Sequence, residues 1–143
     1  MKQRINRIIQ LLIVVILSIT LAACSDSLEK RLEKASAYIE KEDYENAVSS
    51  YEAIIEKYPE DITAYKELYK LYIQQNQKDS IEALLLKGIT TVEEHDELYP
   101  LLAEHYMEQA EYDKAVDVYK IILQSDSSNQ KVYETIMDIY ADK

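Results

Sequence analysis

The residues that could do chemistry in this chain are few and lie far apart. The two histidines, His95 and His105, are ten residues apart, and Cys24 is the single cysteine. A zinc site needs more ligands than these at close spacing, so we expect both histidines to be solvated, one on a loop and one on a helix face. The single glycine, Gly88, cannot form a phosphate-binding loop. Acidic pairs such as Glu93–Glu94 are common on charge-rich helices, whereas acid-base catalysis needs carboxylates in a closed pocket. The sequence therefore predicts no metal, no cofactor and no enzymatic activity.

The first 23 residues have the features of a targeting segment. A basic start at Lys2, Arg4 and Arg7 precedes an apolar run over residues 8–23. This run is shorter than the about 18 to 20 apolar residues that usually span a bilayer. An ordinary secretory signal and an uncleaved anchor helix are the alternatives to a lipoprotein signal.

The tetrapeptide Leu21-Ala22-Ala23-Cys24 resembles the lipobox of bacterial lipoproteins. This resemblance implies that Cys24 receives a diacylglyceryl group and becomes the N-terminus once the signal peptide, residues 1–23, is removed. Two acyl chains give stable anchoring, because each buried methylene contributes about 0.8 kcal/mol. We therefore expect a protein anchored by lipid to the extracytoplasmic face of a bacterial cell membrane, with residues 24–27 as the lipidated cysteine and a short tether.

The chain is strongly acidic, with a formal net charge of −11. Removal of the targeting segment takes away three of the 16 basic residues and none of the 27 acidic ones, which leaves −14. Such a surface repels the phosphates of nucleic acids, so this class of partner is excluded.

Tyrosines recur with a period of 34 residues. The three columns contain Tyr38, Tyr72, Tyr106 and Tyr140, then Tyr65, Tyr99 and Tyr133, then Tyr51, Leu85 and Tyr119. Each period holds two stretches with apolar residues three and four positions apart, which is typical of amphipathic helices. We interpret the tyrosines as core residues, in preference to a stacking surface for carbohydrate or peptide. A period of this length predicts an all-α solenoid, whose neighbouring units bury each other's apolar faces.

Counting from Leu28, the chain divides into units at 28–61, 62–95 and 96–129 and a half unit at 130–143. These units resemble the tetratricopeptide repeat, most clearly in the third, with Tyr99, Leu102, Ala103, Tyr106, Ala115 and Tyr119, and in the first, with Ala35, Tyr38, Ala47, Tyr51 and Pro59. The second unit departs from the pattern, because Tyr69 and Ile81 stand where small residues are usual. The resemblance covers residues 28–143 and implies a right-handed α-solenoid of about 3.5 repeats, or seven helices.

In that family the first helix of every unit lines a concave groove that binds protein segments. The matching faces of this chain carry ten acidic residues and three lysines. The residues to which we assign partner binding are Glu33, Ile39, Glu40, Lys66, Lys70, Ile73, Glu104, Met107 and Glu108. Their chemistry indicates a basic or amphipathic segment of another protein. The alternative is a solvated acidic face with incidental apolar residues.

The half unit at 130–143 carries apolar residues in columns that, in complete units, pack against a second helix. We expect part of this surface, around Val132 and Ile139, to lack a partner within the chain. It would then mediate a homodimer or dock a helix of another protein, and fraying of the helix is the alternative.

These expectations combine into one function, a membrane-anchored protein-binding adaptor or scaffold of the cell envelope. The main alternative is a structural subunit of an envelope assembly whose groove stays empty. A small enzyme or metal-binding protein is a remote third reading.

Overall fold

A computed structural model describes residues 27–141 as an array of seven α-helices. The helices are α1 (Leu28–Glu40), α2 (Tyr44–Lys57), α3 (Ile62–Gln74), α4 (Lys78–Thr91), α5 (Leu98–Glu108), α6 (Tyr112–Ser125) and α7 (Gln130–Ala141). No strand occurs within these residues. The predicted signal peptide and Cys24 lie outside the described residues, as do residues 142–143.

Aspartates begin two of the helices and set their first turns. The Asp61 carboxylate accepts a hydrogen bond from the Ala64 amide at 2.8 Å, and Asp43 caps α2 in the same way through the Asn46 amide. Such N-caps stabilise a helix by about 1 kcal/mol, because they satisfy amides that have no partner in the first turn.

The same tight turn joins the two helices of each complete unit. Glu42, Asn76 and Ala110 occupy equivalent positions in the three units, and all lie in the left-handed backbone region with φ of 57°, 55° and 56°. The amide of the next residue donates to a tyrosine carbonyl five residues earlier, at 2.8 to 2.9 Å, in the pairs Asp43 to Tyr38, Gln77 to Tyr72 and Glu111 to Tyr106. This helix-ending bond satisfies a carbonyl of the last turn and gives the three hairpins one geometry.

The core runs along the array as a continuous layer, because each helix packs mainly on its neighbours in sequence. The buried tyrosines are Tyr51, Tyr65, Tyr69, Tyr72 and Tyr106. Tyr112, Tyr133 and Tyr140 are exposed, so the interpretation of the tyrosines as core residues is wrong for these three. Tyr133 and Tyr140 stand in the core columns, but they lie on α7, and no second helix follows α7 within the described residues.

Gly88 lies in the last turn of α4, close to Leu98 of the third unit. A Cβ atom at this position would lie 2.6 Å from Cδ1 of Leu98 and 3.0 Å from Cδ1 of Tyr65. Real Cβ atoms do not come so close to another carbon, so the glycine leaves the space that these two side chains occupy.

His105 is buried on α5, with only 4% of its surface exposed, so the expectation of a solvated histidine is wrong here. It lies seven residues after the buried Leu98 and three after the buried Leu102, which places it on the core face of the helix. Its Nδ1 atom has no hydrogen-bond partner among the described residues. His95 is half-buried, and its Nδ1 atom lies 2.7 Å from the carbonyl oxygen of Val92.

Within residues 27–141, no helix combines the length and the apolar content that a membrane span requires.

Candidate functional site

The surface formed by the exposed sides of α1, α3, α5 and α7, which we call the groove, is the predicted site. Glu33, Glu40, Lys70, Glu104 and Glu108 are exposed on it. Of the three apolar residues predicted here, Ile73 is 37% exposed, while Ile39 and Met107 are half-buried and pack against the core. The described structure therefore brings the charged residues to the surface, and the apolar ones only in part.

Both lysines in the central part of the groove are paired with carboxylates of the chain itself. Lys66 on α3 forms an ion pair and hydrogen bond with Glu97, the residue before α5, so this contact spans two units. Lys70 pairs with Glu67 one turn earlier on the same helix, at 2.6 Å. These contacts leave little positive charge in the groove for a ligand's carboxylate.

Glu104 lies near the middle of the groove and receives no ion pair from the described residues. The Tyr69 hydroxyl on α3 donates a hydrogen bond to it at 3.2 Å. Burial, and then the Glu104 carboxylate, raise the pKa of Tyr69 above its usual range. The pKa of Tyr119 on α6 is also raised by burial and by Glu104. The nearest cation to Glu108 is Lys78, with Nζ 3.9 Å from a carboxylate oxygen. Glu104 is therefore a groove carboxylate that can receive a cation from a partner.

A pocket of about 540 Å³ opens beside Glu104, between α5, α6 and α7. Its lining residues are Pro100, Glu104, Met107, Tyr119, Ile122, Asn129, Lys131, Val132 and Thr135. Reasoning from the sequence placed Glu104 and Met107 at the site but missed the pocket, because its walls come from three helices. A cavity of this size can hold a side chain of a bound protein segment.

A second set of hydrogen bonds joins the units on the side of α2, α4 and α6. The Tyr72 hydroxyl donates to Glu52 at 2.9 Å, and the Tyr106 hydroxyl donates to Glu82 at 2.7 Å. Burial, followed by these carboxylates, raises the pKa of each tyrosine to about 12. The Tyr106 hydroxyl in turn lowers the pKa of Glu82, with further help from Lys114. These contacts tie each unit to the one before it, and we assign them a structural role.

The expectation that the surface of α7 around Val132 and Ile139 lacks a partner within the chain is wrong, while self-association itself stays a prediction. Val132 and Ile139 are buried, because they face the preceding unit. The exposed apolar surface of α7 consists instead of Tyr133, Met137 and Tyr140, with Met137 70% exposed. The helical period explains the error, since the columns alone do not say which face of α7 its neighbour covers.

No group of three or more histidine, cysteine, aspartate or glutamate side chains within residues 27–141 is placed to hold a metal ion. An acidic pocket of about 680 Å³ lies between the α2–α3 and α4–α5 connections and is lined by Glu60, Ile62, Val92, Glu93, Glu94, Asp96 and Glu97. It contains no nucleophile and no histidine.

Family models of the tetratricopeptide repeat match residues 31–61 and residues 99–135. No curated protein sequence matches the chain significantly. A tetratricopeptide repeat protein from Parabacteroides merdae ATCC 43184 has a similar structure, with a TM-score of 0.65 and 20% identity over 79% of this chain and 45% of its own. This chain thus spans less than half of that protein's length.

Two complexes with peptide or protein ligands also share the fold. The TPR2B domain of yeast Sti1, in a complex with pHsp70, has a TM-score of 0.62 and 19% identity over 81% of this chain and 98% of its own. The first TPR of Spaghetti (RPAP3), bound to the HSP90 peptide SRMEEVD, has a TM-score of 0.63 and 14% identity over 81% of this chain and 94% of its own. At these identities the likeness extends to the fold alone.

The matched segments lie in the first unit and across the third and fourth, and the helix pairs between them repeat the same hairpin. Residues 31–61 and 99–135 therefore match tetratricopeptide repeats, and the described chain folds as an all-α solenoid similar to those of tetratricopeptide repeat proteins.

Proposed function

We propose that this chain is a non-catalytic protein-binding adaptor, held by lipid on Cys24 at the extracytoplasmic face of a bacterial cell membrane. Its groove binds a basic or amphipathic segment of a partner protein. The fold supports a protein partner, because structures of the same fold contain bound peptides or proteins. The cell membrane and the envelope are assigned from the sequence features of residues 1–24.

The charge distribution of the groove is the observation that carries this proposal. Lys66 and Lys70 are paired with carboxylates of the chain itself, whereas Glu104 accepts a hydrogen bond from a tyrosine hydroxyl and has no ion pair with the described residues. The Sti1 and RPAP3 structures contain bound ligands. The charge of the groove in this chain favours a ligand with a cationic side chain over a ligand with a carboxylate.

Reversing the charge at Glu104 and Glu108 tests the groove. We expect the double variant Glu104→Lys, Glu108→Lys to bind a partner captured by crosslinking in native membranes at least about tenfold more weakly, because like charges then face each other. Binding by the parent protein should weaken as salt rises, since exposed charges are screened over about 8 to 10 Å at physiological ionic strength. Both effects are measured by titration with the captured partner.

A matched control is Glu45→Lys, Glu56→Lys, which makes the same change of charge at exposed positions of α2. It should retain most of the affinity. Equal binding by the groove variant and the parent would place the interface elsewhere.

Lipidation at Cys24 is tested by the variant Cys24→Ala. We expect it to incorporate no labelled fatty acid and to lack specific cleavage, because the thiol is the atom that the lipid modifies. Metabolic labelling and the mobility of the chain in gels measure both steps. Ser25→Ala, one residue away, is the control and should be processed normally. A Cys24→Ala chain that is labelled and cleaved like the parent would rule out the lipoprotein proposal.

The exposed surface of α7 favours a second candidate function, a subunit of an envelope assembly. Tyr133, Met137 and Tyr140 form an apolar face that a larger complex, or a second copy, could cover. Purification from membranes separates the two functions. An adaptor should emerge with a ligand that exchanges, whereas a subunit should remain tightly complexed after salt washing.

A further inference from the structure

The pocket beside Glu104 lies at the junction between the third unit and α7. The equivalent positions one junction earlier are found by subtracting the period of 34 residues. There, Lys66 and Glu97 form an ion pair that bridges the first helices of adjacent units. At the α5–α7 junction their places are taken by Pro100 and Lys131, which cannot form such a bridge. No ion pair between described residues therefore crosses the gap between these two helices.

The apolar residues at this junction are also arranged differently. Thr135 occupies the position that Leu101 holds one unit earlier, and Leu101 is half-buried and packs against the core. Leu98 packs closely over Gly88, whereas the equivalent pair here is Val132 and Ile122, which both line the pocket. A shorter side chain on α7 and a missing ion pair thus account for the open space at this junction.

We propose that this pocket holds one apolar side chain of the bound protein segment, while a basic side chain beside it pairs with Glu104. The proposal rests on the proposed function of the groove, and it identifies the part of the groove that determines ligand specificity. The occupant is a segment of another protein, because Glu104 lines a largely apolar space and no cation of residues 27–141 pairs with it.

The walls of the pocket specify the chemistry of each part of the ligand. Met107, Ile122 and Val132 provide an apolar floor for an aliphatic or aromatic side chain. Lys131 on the α7 wall repels a second cation, so the basic residue of the ligand lies on the α5 side, next to Glu104. Lys131 and Asn129 carry donors that can bind carbonyl oxygens of the ligand backbone.

The probe is a set of short fluorescein-labelled peptides, each with one leucine and two lysines in a background of serine and alanine, that differ in the spacing between leucine and lysine. Binding to the full chain in detergent micelles is followed by fluorescence anisotropy. We expect at least one spacing to bind with a dissociation constant of about 0.1 mM or tighter. Replacing its leucine with serine, or its lysines with glutamates, should each weaken binding at least about tenfold. Failure of every spacing to saturate the protein at about 1 mM would overturn the proposal.

Methionine methyl groups report where the peptide binds. Met107 lines the pocket, and Met137 is exposed on a different face of α7, so the two serve as reporter and control in one protein. With carbon-13 labelled methionine methyls, the peptide should shift the Met107 signal and leave Met137 unchanged. A shift confined to Met137 would instead assign binding to the exposed surface of α7. A change of sedimentation with protein concentration that the peptide abolishes would mean that a second copy occupies the pocket. The Met107 signal can also be compared, without peptide, between the full chain and a chain from Ser25 onward. A difference between the two would mean that the segment 1–24 occupies the pocket.

A filling substitution separates the pocket from the rest of the groove. Thr135→Trp places an indole in the space and should weaken the leucine peptide about tenfold, while Thr63→Trp, on the exposed groove surface of α3, should not. Glu104→Gln removes the charge without a large change of shape and should remove the preference for lysine. If Glu104→Gln weakens binding but Thr135→Trp and the leucine replacement do not, the groove function stands and the pocket assignment fails. If none of the three matters, both fail.

Discussion

Replacing Tyr65 with alanine is expected to lower the free energy of unfolding by about 3 to 5 kcal/mol. Tyr65 is fully buried, and its ring lies against the surface of Gly88, where the second and third units meet. Removing the ring leaves a cavity that the glycine cannot fill, so the loss affects two units at once. Against a typical total of about 5 to 15 kcal/mol, this loss could unfold the array. Urea unfolding of the chain from Ser25 onward, followed by circular dichroism, measures it.

Two control variants test whether burial is the cause. Tyr133 stands in the same column as Tyr65 but is 48% exposed on α7, so Tyr133→Ala should cost less than about 1 kcal/mol. Tyr65→Phe should cost little, because the Tyr65 hydroxyl is buried without a well-formed hydrogen bond among the described residues. A loss for Tyr133→Ala as large as that for Tyr65→Ala would contradict this account.

The comparison of Tyr65 with Tyr133 also shows how far the repeat period predicts the fold. The period predicts where the helices lie in the sequence and which of their faces are apolar, and the seven helices and the solenoid follow from it. The burial of a side chain depends in addition on which neighbouring helix covers its face. The column shared by Tyr65 and Tyr133 contains no information about that helix. His105 was missed for a related reason, because its polarity suggested a surface position while its spacing from Leu98 placed it in the core.

The sequence predicts which residue types line the groove, but not which of them form ion pairs. The sequence identifies Lys66 as a groove residue, yet its ion pair with Glu97 depends on the distance between α3 and α5. The pocket at the α5–α7 junction has the same origin, since it appears only when three helices are in place. A comparison of equivalent columns could have indicated it, because Pro100 and Lys131 stand where the previous junction has a lysine and a glutamate.

Equivalent columns also reveal an exchange of large and small side chains between two junctions. Ile54 and Ala64 are buried at the junction of the first and second units. One period later the same two positions hold Gly88 and Leu98, so the large side chain comes from the other helix. The two junctions therefore fill a similar space in opposite ways, as close packing of a core requires.

Swapping the pair at the second junction should restore much of the stability that either single change removes. Gly88→Ile forces a side chain into the space of Leu98 and should cost about 3 kcal/mol. Leu98→Ala should cost about 2 to 5 kcal/mol, because it opens a cavity over the glycine. The double variant Gly88→Ile, Leu98→Ala places the same two residue types at this junction as Ile54 and Ala64 at the first, and it should be more stable than the sum of the two losses by at least about 2 kcal/mol. The reciprocal swap, Ile54→Gly with Ala64→Leu, is the matched control and should show coupling of the same sign. Urea unfolding of the four members of each cycle gives the coupling energy, and strictly additive losses at both junctions would show that these side chains do not share one space.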